Sequence, residues 1–323
     1  MGSRFRCAFG SKAPLQNAFS SAHSKPGAGL NSGDISALLG RKGASANAHV
    51  GASSLSAAGS SRSVLQTAVN GANGNKKGVG VWYVPVVEGV MEDLGVSWYY
   101  TWTVSTDDQS IVPPPSVEFV PMFYNLFDIN DENIEKVKQE PCDAVMVFNE
   151  PDRSDHSDIE VAEALKVWPK LESLGKRLGA PATGTPARQS AWLKEFMYKA
   201  KQRGLRVDFV SIHWFGNDPN RWDADVATRD LKTTLKYVYD KYKKPIWVTE
   251  FALTQWASTQ VASYPSAEVQ AAFLTKACKM MDGLDYVERY ANFPVFPYTD
   301  NSSSHLYETD GRITVVGEAY KNA

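Results

Sequence analysis

From about residue 76 onward, short runs of apolar, β-favouring residues alternate with longer stretches whose apolar side chains recur every three or four positions. The short runs predict strands over residues 78–83, 96–102, 117–124, 143–150, 179–185, 207–214, 245–251 and 286–293. The longer stretches predict helices over 85–94, 131–140, 158–178, 190–203, 225–242, 267–282 and 315–322. Leu231, Leu235 and Val238 supply the apolar face of the 225–242 helix. Ser157-Asp-Ile-Glu160 reads as a capping box opening the 158–178 helix, each polar side chain taking the other's free backbone N–H. Between the second and third strands, Thr103–Ser116 is rich in Asp, Ser and Pro and predicts a loop where a helix is otherwise due.

Eight strand–helix repeats in about 250 residues are the rhythm of a (β/α)8 TIM barrel, an α/β fold, here with a reduced helix after the second strand. A doubly wound open sheet is the alternative. It usually carries a Gly-rich phosphate turn after the first strand, and none follows Gly78-Val-Gly80. Residues 1–75 have a different texture: Ser, Ala and Gly dominate with no sustained apolar period, which predicts a disordered leader ahead of a folded domain over 76–323. The leader is basic, Ser-rich and poor in acids, as organelle transit peptides are, and lacks the compact apolar centre of a secretory signal. A flexible tail with no targeting role fits it equally.

Charge and composition narrow the function. The net charge is −2, but residues 1–77 hold nine Lys/Arg against one acid, Asp34, which leaves the remainder at −10. So acidic a body argues against nucleic acid as a partner. Cys7, Cys142 and Cys278 are too few and too scattered for a disulfide framework or a zinc site. The Asp152–Asp158 cluster matches no calcium loop and reads as solvated loop, so neither metal nor cofactor is expected. No apolar run approaches the roughly 18 residues of a membrane span, and a monomer is expected. Aromatics at 11%, with nine tryptophans, serve a core and also supply flat platforms for sugar rings.

Two stretches carry the chemistry: Val145-Met-Val-Phe-Asn-Glu-Pro151 and Pro245-Ile-Trp-Val-Thr-Glu-Phe-Ala252. Each is an apolar run ending in a glutamate, Glu150 on the fourth predicted strand and Glu250 on the seventh. Barrel active sites lie at the C-terminal strand ends, and a buried unpaired carboxylate is costly. An ion pair at a strand end explains either glutamate alone. Both together, facing one another across a barrel mouth, are what acid-catalysed cleavage of a sugar–sugar bond requires. A barrel acting on phosphorylated metabolites needs a Gly-rich grip near strands seven and eight, where residues 250–300 hold only Gly283.

Further stretches resemble a known family. Trp98-Tyr-Tyr-Thr-Trp102, Phe119-Val-Pro-Met122, Phe148-Asn-Glu-Pro-Asp152, Gly184-Thr-Pro-Ala187, Trp192-Leu193 with Phe196, Val207-Asp-Phe209 with His213-Trp214, Trp247-Val-Thr-Glu-Phe-Ala252 and Glu288-Arg-Tyr290 occur in an order resembling glycoside hydrolase family 128. The resemblance spans residues 76–323 and implies a clan A-like retaining β-1,3-glucanase, with β-1,3-glucan or its oligosaccharides as substrate. It implies Glu150 as acid/base, Glu250 as nucleophile, and Asn149 as donor to the 2-hydroxyl of the reacting sugar. Retention requires the two carboxylates about 5–5.5 Å apart, and two close carboxylates push each other's pKa apart, as such a division of roles needs. His213, ending strand six, is cast as a hydrogen-bonding neighbour of the nucleophile. Tyr100, Trp102, Tyr124 (or Phe123) and Trp214 are candidate sugar-stacking platforms, and Tyr290 a candidate contact of Glu250. Asn292 departs from the aromatic that such relatives tend to carry after Arg-Tyr-Ala, which opens the floor of the reacting-sugar subsite to question. An extracellular or cell-wall location follows from the resemblance, although the leader does not look like a signal peptide. Transglycosylation on the same substrates and a non-catalytic β-glucan-binding barrel are the competing readings.

Overall fold

The computed structural model of the protein describes residues 75–82, 87–106, 111, 114–256, 262–299 and 301–323. The leader predicted over 1–75 lies, but for its last residue, outside the described residues, as do Cys7, Tyr83 and the start of the helix predicted over 85–94.

The strands are β1 (Lys77–Gly80), β2 (Trp98–Tyr100), β3 (Glu118–Phe119), β4 (Met122–Phe123), β5 (Ala144–Val147), β6 (Arg177–Ala180), β7 (Phe209–Phe215), β8 (Ile246–Ala252) and β9 (Val287–Asn292). They run parallel in the order β3-β2-β1-β9-β8-β7-β6-β5-β4. β3 and β4 are halves of the single strand predicted over 117–124, interrupted at Val120-Pro121. Proline has no N–H for the ladder and forces an irregularity. Pairing nevertheless continues through the break: Val120 N–H donates to Tyr99 O at 2.9 Å and Met146 N–H to Pro121 O at 3.0 Å. Since β3 pairs with β2 and β4 with β5, the chain itself closes the ring. Nine short strands thus do the work of eight, and the fold is the (β/α)8 barrel.

The helices are α1 (Val87–Leu94), α2 (Asp131–Gln139), α3 (Val161–Glu172), α4 (Ala191–Gln202), α5 (Ala224–Tyr242), α6 (Ala267–Asp282) and α7 (Val315–Lys321). None of the described residues between β2 and β3 is helical. Leu231, Leu235 and Val238 are fully buried on α5. The helix predicted over 158–178 is shorter at both ends. Its N-cap is Glu160, whose N–H meets the Glu163 carboxylate at 3.4 Å. The Ser157–Glu160 capping box does not form, because Ser157 Oγ donates to Asn149 O instead, at 2.7 Å. Pro169 sits in the last turn and Gly175 takes φ +71°, so the chain turns and β6 begins two residues earlier than predicted. Among the described residues no helix is long and apolar enough to cross a membrane.

The barrel interior is filled by rings. Phe209 stacks on Trp247 at 4.1 Å, and Trp98 lies 5.5 Å from Trp247 and 5.9 Å from Tyr100. Burying each contributes about 2–3 kcal/mol. Gly78, Gly80 and Gly179 make the space, since a Cβ there would strike Trp98, Tyr100 and Phe209 respectively. Below these rings the Arg177–Glu288 and Arg289–Glu118 pairs close the N-terminal end, with the Arg289 guanidinium 4.5 Å from the Trp247 ring. The polar residues at the other end are therefore free to carry chemistry.

Candidate active site

Strict alternation along β8 would waste its glutamate. Trp247 points into the barrel, so Glu250, three residues on, belongs on the outer face. The β7–β8 register slips between Ile212 and His213, pairing Ile212 with Val248 but His213 with Glu250, so Thr249 is an extra residue. A one-residue bulge reverses the faces beyond it. Glu250 turns inward, and Phe251 packs outward on Phe273 of α6 at 6.1 Å.

Glu150 is presented differently. β5 ends at Val147, and Phe148 and Glu150 lie in the left-handed region with φ +56° and +47°. Such residues each cost on the order of 1–3 kcal/mol and persist where neighbours over-determine them. Here Phe148 N–H donates to Phe123 O (2.7 Å), Asn149 N–H to Tyr124 O (3.0 Å) and Glu150 N–H to Ala182 O (2.8 Å).

His213 links the two carboxylates. Its Nδ1 lies 3.0 Å from Glu150 Oε1, a hydrogen bond, and its Nε2 lies 3.4 Å from Glu250 Oε1, a charge contact short of a hydrogen bond. Trp102 Nε1–H donates to Glu250 Oε1 at 3.1 Å. Tyr100 O–H donates to Thr249 O at 2.9 Å and reaches Glu250 Oε1 at 3.4 Å. All three acids and bases are nearly buried. Burial pushes the Glu250 carboxyl up to about 6, against the pull of the His213 charge and with the Glu150 charge adding to the rise. Burial acts on Glu150 in the same direction but is outweighed by the hydrogen bond and charge of His213, then by His156 and Arg153, so Glu150 is held below its ordinary range. On His213 burial is overcome by the two carboxylates, and its value is raised.

An open cleft of about 430 Å³ leads away from these groups, lined by Glu150, His213, Trp214, Phe215, Trp256 and, at its far side, Tyr237 of α5. Residues 81–320 match the family model described as glycosyl hydrolase catalytic core. The structure is similar to a family 128 subgroup I endo-β-1,3-glucanase from Amycolatopsis mediterranei, solved with laminaripentaose, at a TM-score of 0.70 and 37% identity over 77% of this chain and 99% of that one. The chain belongs to glycoside hydrolase family 128. A subgroup II endo-β-1,3-glucanase from Sorangium cellulosum is similar at a TM-score of 0.63 and 25% identity, covering 77% of this chain and 98% of that one. By sequence, "Alkali-sensitive linkage protein 1" of Schizosaccharomyces pombe is 29% identical over 236 residues, 70% of this chain. The chain spans only 40% of that curated relative's length.

Within this family 128 glycosidase, the predicted site residues divide. Asn149, Glu150, His213 and Glu250 lie together at the barrel mouth, and Asn149 Oδ1 is buried without a hydrogen-bond partner. Tyr100 is fully buried, which leaves it no ring face for a sugar, while Trp102 is as exposed as Glu150; both reach Glu250. Tyr124 O–H pairs with His156 Nδ1 at 3.2 Å. Trp214 lines the cleft but stacks on Phe273 at 5.5 Å. Tyr290 is turned away from Glu250: its hydroxyl donates to Asp282 Oδ1 at 3.0 Å and its ring meets the outer-facing Phe251. Asn292 does not form a subsite floor; its Nδ2 donates to Pro294 O (3.1 Å) and Ser304 O (3.3 Å) and ties down the segment after β9.

The segment read as solvated loop is the largest departure. Arg153 Nε lies 3.4 Å and His156 Nε2 3.1 Å from Glu150 Oε2, and Asp152 accepts from the N–H groups of Gly184 and Thr185. Nothing in its composition separates these residues from ordinary loop charge; only the left-handed turn at Glu150 folds them back.

Proposed function

We propose that this glycosidase hydrolyses β-1,3-glucan with retention at the anomeric carbon, Glu150 acting as acid/base and Glu250 as nucleophile. The observation that carries the reading is the likeness to the Amycolatopsis enzyme, 37% identical over 99% of its length and solved with laminaripentaose. Forms of that enzyme with one or another of two glutamates replaced were solved with laminari-oligosaccharides. Here two glutamates share one imidazole.

The proton inventory fits the roles, although not by simple repulsion between carboxylates. That argument expects the proton on Glu150, yet in the free enzyme Glu250 is the carboxyl with the raised value. From about pH 6, where Glu250 ionises, up to the raised value of His213, the three groups share one proton, resting on His213 against ionised Glu150. Passing it across the 3.0 Å contact to Glu150 Oε1 leaves neutral His213, a protonated acid and an ionised nucleophile. Glu250 then attacks the anomeric carbon while Glu150 protonates the departing glycosidic oxygen, forming a glycosyl ester. Ionised Glu150 next takes a proton from the attacking water, Glu250 leaves as carboxylate, and the single proton is restored.

Digestion of laminarin by wild type beside Glu150→Ala and Glu250→Ala tests this. Each substitution is expected to lower turnover by roughly 10²–10⁴ or more, and NMR of the first product is expected to show the β-anomer. Undiminished oligosaccharide release by both variants, or a first-formed α-anomer, overturns the assignment.

A further inference from the structure

We infer that Arg188, laid against the ring of Tyr237, is a specificity-determining residue that grips the leaving portion of the glucan chain. The inference rests on the acid/base reading of Glu150 given above. An acid/base carboxyl stands beside the departing glycosidic oxygen, whereas the nucleophile stands against the anomeric carbon of the sugar that stays behind. The cleft of about 430 Å³ is lined by Glu150 but, among the described residues, not by Glu250 or by its neighbours Tyr100 and Trp102. It therefore runs off on the side of the leaving oxygen, and what it holds is the part of the chain that departs.

Hydrogen bonds between loops fix Arg188 relative to Glu150. Asp152, just past Glu150, accepts from the N–H groups of Gly184 and Thr185 at 2.8 and 3.0 Å, which ties the loop after β6 to the loop after β5. The turn that follows is tight. Gln189 and Ser190 N–H both donate to Pro186 O, at 2.7 and 3.0 Å, and the buried Ser190 caps α4 by accepting from Leu193 N–H at 3.0 Å. From this turn the exposed Arg188 reaches α5, its guanidinium 5.7 Å from the centre of the Tyr237 ring. Lys241, one helical turn along α5, donates to the Tyr237 hydroxyl at 3.4 Å and steadies the ring. The cleft contains two arginines, and they are used differently. Arg153 gives its Nε and Nη2 to the two oxygens of Asp155 at 3.0 and 2.7 Å. Arg188 has, among the described residues, neither a carboxylate within ion-pair distance nor a hydrogen bond, only the ring. Its planar fork of five N–H groups is thus held in place with its donors unspent, and sugar hydroxyl oxygens accept from such a fork.

The experiment compares a substrate that fills this arm of the cleft with one that does not. Laminarihexaose loses a sugar chain on the Glu150 side; 2,4-dinitrophenyl β-laminaribioside loses dinitrophenolate and leaves the Arg188 end empty. Arg188→Ala is expected to lower kcat/KM about tenfold on laminarihexaose, the low end for a hydrogen bond from a charged group, and less than about twofold on the dinitrophenyl substrate. Arg188→Lys, which keeps the charge without the fork, should recover part of the loss. Tyr237→Ala, which removes the ring but leaves the guanidinium, should show the same selectivity at about threefold. Thermal melts establish that the variants are folded. Equal losses on both substrates in folded Arg188→Ala, or a loss below about threefold on laminarihexaose, overturn the inference. Glu150→Ala, assayed on the dinitrophenyl substrate with azide, guards the premise. If azide fails to restore turnover there, the acid/base reading falls and the inference with it; if azide restores it while Arg188→Ala shows no selectivity, only the inference falls.

Discussion

Trp102→Phe is the sharpest probe of how the nucleophile is tuned. Trp102 sits at φ +58° with its indole N–H 3.1 Å from Glu250 Oε1. Phenylalanine keeps an aromatic ring among Trp82, Tyr100 and Phe293 but has no donor. A hydrogen bond to a charged group is worth about 1.5–3 kcal/mol, equivalent to about 1–2 pKa units. That bond stabilises the ionised form, and it is among the interactions holding Glu250 down to about 6 against burial. Its loss therefore raises the carboxyl to about 7–8. The nucleophile must be ionised, so the acid limb of kcat/KM moves upward by the same amount while activity well above it is largely kept. The assay is kcat/KM on a laminari-oligosaccharide across the acid and neutral range, with thermal melts to establish folding. A folded variant whose acid limb stays in place, or moves down, refutes the reasoning. Tyr100 remains near the same oxygen at 3.4 Å, so the limb should move further in the double variant with Tyr100→Phe.

Two further outcomes follow from the same geometry. Glu250 has a folded value raised from 4.5 to about 6, so the stability it contributes is present at low pH and lost as pH rises through about 6. Glu250→Gln should then raise the melting temperature at pH 8, the ionised glutamate costing about 2 kcal/mol there, and the gain should vanish near pH 4; a difference independent of pH contradicts this. Tyr290→Phe should leave kcat and KM unchanged while lowering stability by about 1 kcal/mol, since its hydroxyl serves Asp282 on the outer face; a change in kcat would return Tyr290 to the site.

Much of the architecture was written in local patterns. Strand and helix periods survive in the barrel, and the described residues after the second strand hold no helix, because burial of alternating or 3.6-spaced apolar faces is a local property of the chain. Boundaries slipped where a single residue overrode the period, as at Pro121, Gly175 and Ser157. Glu150 and Glu250 stood out because each terminates an apolar run, and no structural duty accounts for both. Their partners were partly legible: His213 was drawn to the pair by its place at a strand end.

What sequence alone determined was therefore the barrel, its family and the two carboxylates at its mouth. It could not say which way a ring points. Tyr100 became a buried support for Glu250, Trp102 turned its indole N–H onto the same carboxylate, Tyr290 faced the helices, and Arg153 and His156 folded back onto Glu150. These outcomes depend on the Thr249 bulge, on the β8–β9 register shift at Glu288 or on a left-handed residue, features set by packing and hydrogen bonds between segments distant in sequence. A one-residue shift in parity sends a side chain to the opposite face of the sheet, and the tertiary structure alone decides where that shift falls.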